Sequence, residues 1–342
     1  MKLKCGLFFP LLLCISLSVM AAEYSAGSLK IILNENTGRF SLYAVNGDRA
    51  DALFADEDPR SSFLSVMVND RSYKMGDSSV FKTRIVDNSN NPAFIFESAF
   101  LTVTEEFSFL RTPNSAVPNA IKITITLENR GDRQIEAGAR FLLDTSLGEK
   151  APGFAFSTNR RTISSETLLT RSDGDQYWTD RNNSLSLTGS FIIGVPIDPD
   201  SIHIANWKKL SDVTWKAPFQ AGRNFNFPPF SIGDSAVCYY FEPIVLGRGE
   251  KRSFGFFLAR DYEGSFNFVT GTSSVTSLES IINLTGVDHI NAENQDLAAL
   301  RELIAAIDAK IVLGTATEEE IASIEFALNK LRVKYGNDNS VR

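Results

Sequence analysis

Asp144 and Glu149, in Leu142-Leu143-Asp144-Thr145-Ser146-Leu147-Gly148-Glu149, close a strongly apolar strand and open a Gly/Pro loop. Functional residues gather on such loops, and paired carboxylates are the equipment of glycoside hydrolysis. A second acid must then face the first at a set separation, which spacing along the chain does not decide. There are two histidines, His203 in an Ile-rich strand edge and His289 far down the chain. Proton shuttling on a sugar usually sets a histidine beside a carboxylate; a lone histidine among apolar residues reads first as structural. Asp173, Asp175 and Asp180 resemble a calcium loop only faintly, since the full pattern requires a further ligand and a terminal glutamate in register. Ser235, in Gly233-Asp234-Ser235-Ala236, lacks the glycine frame of a nucleophile elbow. The sequence carries no His/Cys cluster at metal-ligand spacing. It therefore predicts no catalytic residue, no cofactor and no metal site.

The richest stretch runs from Asn206 to Phe241, with Trp207, Trp215, Phe219, Phe225, Phe227, Phe230, Tyr239, Tyr240 and Phe241 separated by Pro218, Pro228 and Pro229. Aromatic rings on proline-stiffened loops can stack on the apolar faces of sugars. They can equally plug the open end of a β-sandwich. The first reading makes Trp207, Trp215, Phe225, Phe227 and Tyr239 a ligand platform; the second makes them packing.

The elements that must position these groups are mostly strands. Leu29, Ile31 and Leu33 alternate with polar residues, Asn34 to Gly38 turns, and Phe40 and Leu42 return. Strands are expected over 63–68, 72–75, 80–86, 94–100 and 101–110. Ile121, Ile123, Ile125 and Leu127 give the cleanest alternation, closed by Asn129-Arg130-Gly131-Asp132 and answered by 135–143. Later strands are predicted at 162–169, 184–187, 191–195, 236–241 and 253–258. Twenty-six phenylalanines sit largely within these alternations, as an inter-sheet core requires. The fold class that follows is mainly β: a large antiparallel β-sandwich, either one supersandwich or two adjacent sandwiches, over residues 23–270.

Lys2, Lys4, the apolar run Leu7 to Val19 and the small residues Ala21-Ala22 read as a secretory signal over residues 1–22. Its removal leaves Cys238 alone, so no internal disulfide is expected. It also takes the formal charge from −7 to −9. An acidic chain without a basic run disfavours nucleic acid and anionic lipid as partners, and no later stretch is long and apolar enough for an integral membrane segment.

After a 271–290 linker that includes a short helix, the periodicity changes. Leu297, Leu300, Ile304, Ile307 and Ile311, then Ile321, Ile324, Leu328, Leu331 and Tyr335, step three and four apart. Thr317 with Glu320 forms a capping box, and Gly314 and Gly336 stand at helix ends. A C-terminal antiparallel α-helical hairpin over 291–336, with a disordered tail at 337–342, is expected. Phe326 and Val333 lie on the face opposite its seam, which calls for a cover: the body of the same chain, a second copy, or another protein.

The segments Gly138-Ala139-Arg140-Phe141-Leu142-Leu143-Asp144-Thr145 and Ala205-Asn206-Trp207-Lys208-Lys209-Leu210, with Tyr240-Phe241-Glu242-Pro243 and Leu246-Gly247-Arg248-Gly249-Glu250, resemble an uncharacterised β-sandwich module of large exported bacterial proteins. The resemblance covers roughly residues 120–260. It implies a sandwich fold and an envelope location, and no catalytic residue. Together these readings predict an exported, non-enzymatic structural or interaction protein of the bacterial envelope, docked through the hairpin into an envelope or filament-sheath assembly. A carbohydrate-binding or carbohydrate-active sandwich, with a glycan as partner, is the alternative.

Overall fold

The computed structural model describes residues 21–55, 59–88, 91–113, 115–149, 156–191 and 198–266. The predicted signal residues 1–20, the 271–290 linker, the helical hairpin with Phe326 and Val333, and His289 lie outside the described residues.

In chain order the strands are β1 (Ala21–Ala26), β2 (Leu29–Asn34), β3 (Arg39–Asn46), β4 (Arg49–Ala52), β5 (Phe63–Val68), β6 (Arg71–Lys74) and β7 (Lys82–Asn88). Then come β8 (Asn91–Glu97), β9 (Leu101–Leu110), β10 (Ala120–Asn129), β11 (Ile135–Leu143), β12 (Phe156–Thr158) and β13 (Thr162–Ile163). The last are β14 (Thr167–Thr170), β15 (Tyr177–Arg181), β16 (Ser186–Ser190), β17 (Ser201–Asn206), β18 (Ser235–Leu246) and β19 (Lys251–Arg260), with one short helix, α1 (Trp207–Ser211), after β17.

All strand pairing is antiparallel, in three sheets. β1 to β4 form a meander; a nine-stranded sheet runs β13-β12-β15-β16-β19-β10-β9-β8-β7; a six-stranded sheet runs β14-β17-β18-β11-β5-β6. The fold is thus the mainly β antiparallel sandwich that the alternations imply. β10 shows why: Ile121, Ile123, Ile125 and Leu127 are fully buried while Lys122, Thr124 and Thr126 face outward.

One contiguous core joins the three sheets. Tyr239 of β18 stacks on Phe256 of β19 at 4.2 Å, and Phe241 on Phe254 at 4.3 Å. Phe40 of β3 reaches Phe107 of the nine-stranded sheet at 4.8 Å and Phe141 of the six-stranded sheet at 6.1 Å, so one ring ties all three together. Trp178 of β15 is fully buried, and its indole N–H donates to the Tyr239 hydroxyl at 2.7 Å.

Gly189, on the neighbouring strand β16, exists for that indole: a Cβ there would lie 2.4 Å from it. Gly189→Ala should therefore destabilise the fold by about 1–3 kcal/mol, the ordinary cost of overpacking. A denaturant midpoint equal to wild type would show that the Trp178 site relaxes freely.

The outer face of the six-stranded sheet has its own smaller core. Phe63, Leu142, Cys238 and Tyr240 are covered there by Leu210 and Ala217, with Trp207, Val213 and Trp215 packed around them. Arg140, almost fully buried on the same face, donates to the carbonyls of Leu210, Val213 and Trp215 and so fixes the chain that follows α1. This covering segment, residues 207–234, brings the site residues into place.

Candidate functional site

β11 ends, β18 begins and β17 ends at one end of the strands of the six-stranded sheet. The register is direct: Leu143 faces Val237, which also faces Ile204, and Asn206 faces Ser235. Asp144 follows β11, Asp234 precedes β18, and Glu149 arrives on the loop leaving β11. One carboxylate oxygen from each of Asp144, Glu149 and Asp234 lies within 4.8 Å of the others.

Each acid is held separately. The Asp144 N–H donates to Ser62 Oγ at 2.9 Å, and its carbonyl accepts from Ala55 N at 2.9 Å. Glu149 Oε1 accepts from Ser235 N at 2.7 Å and Ser235 Oγ at 3.2 Å. Asp234 Oδ2 accepts from Ser231 Oγ at 2.6 Å. Burial, reinforced by the Asp234 and Asp144 charges and opposed by the Ser235 hydrogen bonds, pushes Glu149 up to about 7. Asp234 is raised as well, by burial. Glu149 can therefore exchange a proton near neutral pH, as a group that gives and takes protons must. The same oxygen set could ligate a hard cation.

Asn206 couples this cluster to an aromatic tip. Its Nδ2 donates to Phe225 O at 3.0 Å, Ser231 Oγ at 2.8 Å and Asp234 O at 2.8 Å, while its Oδ1 caps α1 by accepting from Lys209 N at 3.1 Å. Between these anchors Phe227 pairs with Ser231 across a tight turn. The Phe227 and Phe230 rings sit 6.3 Å apart, Phe230 is 68% exposed, and Ile232 beside them is 76% exposed.

The proposed platform residues separate accordingly. Tyr239 is fully buried between the sheets. Phe225 is buried in the same core, edge-on to Phe156 at 6.0 Å. Trp207 donates from its indole to Ser61 O at 2.9 Å, and with Trp215 it packs against the smaller core. Trp207, Trp215 and Phe227 stay partly exposed, and the ring partner of Phe227 toward solvent is Phe230. Packing claims Trp207 and Trp215 because the outer face of β5, β11, β17 and β18 is apolar and needs a cover, and Tyr239 and Phe225 because they belong to the core between the sheets.

Elsewhere the candidate groups are already engaged. His203 donates through Nε2 to Glu166 at 2.9 Å rather than joining Asp144 and Glu149. Asp173 accepts from Thr170 N and Oγ1, Asp175 from Arg161 and Thr158, and Asp180 from the N–H groups of Leu147 and Gly148. Cys238 is buried, which pushes its thiol up. Asp234 went unrecognised as a partner of Asp144 and Glu149, because only strand neighbourhood in the sheet brings them together.

No family model matches the chain, and no curated protein matches it. Among solved structures it is similar to a putative aldose 1-epimerase from Escherichia coli K12, at 10% identity and a TM-score of 0.45, over 71% of this chain and 99% of that one. It is also similar to a galactose mutarotase-like protein from Lactobacillus casei ATCC 334, at 12% identity and a TM-score of 0.42, over 70% and 99%. A third is the alpha-N-acetylgalactosaminidase of Bifidobacterium bifidum, at 11% identity and a TM-score of 0.40, over 80% of this chain and 41% of that one. These findings correct the expectation of a non-enzymatic structural protein docked through a C-terminal hairpin. The similar structures are carbohydrate-related, and the hairpin that carried the expectation lies outside the described residues. Among the described residues no helix is long and apolar enough to cross a membrane.

Proposed function

We propose that the protein binds or acts on carbohydrate at the Asp144–Glu149–Asp234 cluster, with the Phe227–Phe230 tip as a stacking face. The observation that carries this is Glu149: a carboxyl pushed to about 7 by burial and two neighbouring acids, and hydrogen-bonded to Ser235 at the foot of the segment that carries the Phe227 and Phe230 rings. A carboxyl titrating there exchanges a proton with a sugar oxygen near neutral pH. Ionised carboxylates accept hydrogen bonds from sugar hydroxyls, and aromatic faces shield the apolar faces of the ring. An exported location belongs to this proposal through the secretory signal that the sequence predicts over residues 1–22.

The test is saturation-transfer NMR with D-glucose, D-galactose and N-acetyl-D-galactosamine, alongside polarimetry of sugar anomerisation and release of p-nitrophenol from aryl glycosides. Glu149→Gln should keep sugar binding and reduce any turnover by about 10²-fold or more, the usual worth of a general acid or base. The basic limb of the wild-type pH profile should fall near pH 7. A wild-type protein that neither binds these sugars nor alters their chemistry ends the reading.

A further inference from the structure

A cavity of about 390 Å³ opens where the β1–β2 turn, the end of β3, the chain entering β10 and the chain leaving β19 converge. It shares no residue with the carboxylate cluster. From its wall composition we infer that it is a binding site for a neutral, hydroxyl-rich small molecule of about mono- or disaccharide size.

The walls are prebuilt. Arg260, 8% exposed, donates to Ser28 O and Val45 O, to Asn46 Oδ1 at 2.7 Å, and to Asp261 at 2.7 Å, so one guanidinium ties three strand ends together. Asn119 bridges Thr112 N and Arg260 O across the opposite wall. Asp261 is held in the left-handed backbone region (φ 48°) while its Oδ1 accepts from Ser186 N. Non-glycine residues in that region concentrate at binding and functional sites.

The lining is polar but its charge is balanced. Arg260 is paired with Asp261, and Glu263 with Arg181 at 2.8 Å. That arrangement disfavours an ion and favours a neutral ligand with many hydroxyls. Thr112, 1% exposed, lines the cavity beside Asn119, whose Oδ1 accepts from the Thr112 N–H at 2.9 Å. Tyr262 contributes a ring to the wall and Val117, 47% exposed, an apolar rim, as the mixed faces of a sugar require.

The experiment is an amide-resolved NMR titration of full-length protein with D-glucose and D-galactose, run on wild type, Ser115→Trp and Val117→Trp. In wild type the Ser28, Ser115 and Asn119 amides should shift on sugar addition as a set separate from Ser235 beside the carboxylate cluster. That set should stop responding in Ser115→Trp, which fills the cavity, and its affinity should fall about tenfold in Val117→Trp, which narrows the exposed rim. A cavity set that stays still in wild type, or that still shifts in Ser115→Trp, overturns the inference and leaves the carboxylate site to its own test. Should Ser115→Trp fail to fold, unchanged affinity at the cavity set in Val117→Trp overturns it alone.

Discussion

Glu166→Gln should lower the stability of the protein by about 3–5 kcal/mol, the cost of breaking a buried ion pair from one side. Glu166 lies between β13 and β14 with its side chain 1% exposed. Its Oε1 accepts from Lys209 Nζ at 2.6 Å, His203 Nε2 at 2.9 Å and Gln220 N at 2.9 Å, and its Oε2 accepts from Lys209 at 2.7 Å. Burial alone would raise this carboxyl, but the hydrogen bonds from Lys209, Gln220 and His203 outweigh it and hold it below the ordinary glutamate value. Burial lowers His203 as well, so the imidazole is neutral at pH 7 and gives Glu166 its Nε2 hydrogen. In the Gln variant an amide N–H₂ meets donors, and the Lys209 ammonium is left buried without its counter-charge.

The expected melting shift is a drop of roughly 5–15 °C for a body of this size. Because the bonds tie α1 and Gln220 to the edge of the six-stranded sheet, the 207–234 segment should loosen first. Trp207 and Trp215 emission should shift red below the global transition, and the Gln220 amide should exchange faster. Both titrations act in one direction. Each folded pKa lies below its unfolded value, so the contribution is present above the unfolded values and is lost as pH falls through the folded ones. The double variant Glu166→Met, Lys209→Met should recover part of the loss, leaving the Gln220 N–H and His203 unsatisfied. A Glu166→Gln midpoint equal to wild type would mean that the network contributes nothing to folding.

Glu166 also marks where sequence pattern stops determining structure. Residues 162–169 read as one strand, yet they form β13 in the nine-stranded sheet and β14 in the six-stranded sheet. The chain crosses between sheets at Glu166, whose N–H goes to Arg223 O at 2.6 Å. Alternation reports which face is buried, and both halves bury one; it carries no record of which sheet they join. β10 was legible for the opposite reason, since its alternation is unbroken and its closing turn is fixed by Asn129, whose Nδ2 donates to Arg133, Leu246 and Gly247 carbonyls.

The site divides in the same way. Asp144 and Glu149 could be singled out because they follow a strong strand closely. Asp234 joins them only through the β11–β18 pairing. α1 was missed because Trp207-Lys208-Lys209-Leu210-Ser211 is too short for periodicity to show, although Asn206 is a recognisable N-cap. The burial of Trp207 and Trp215 depends on the apolar outer face of another part of the sheet, and that of Tyr239 and Phe225 on the core between the sheets. Composition shows that rings are present without showing which of them the body covers.

Glu105 should make the protein lose stability as pH rises from about 4.5 toward 8, the reverse of the Glu166 limb. It sits on β9 in the inward series Leu101, Val103, Glu105, Phe107, with Ile125 opposite on β10 and Phe94 opposite on β8. It is 1% exposed, and among the described residues its Oε1 has no hydrogen-bond partner. Burial pushes the carboxyl up to about 8, against the pull of the Arg39 charge, which is itself committed to backbone carbonyls and to Asp77 at 3.0 Å. The sign follows directly. Below the ordinary glutamate pKa both states are protonated and folding carries no penalty. Above it the unfolded chain releases the proton while the folded one keeps it, so stability falls by about 1.4 kcal/mol per pH unit until the folded group ionises near pH 8. Glu105→Gln keeps the shape and removes the titration. It should match wild type near pH 4 and exceed it by an amount on the order of 4 kcal/mol at pH 8, read from urea midpoints across that range. Parallel pH profiles for the two proteins would mean that Glu105 is ionised in the fold, with Arg39 rather than burial setting its charge.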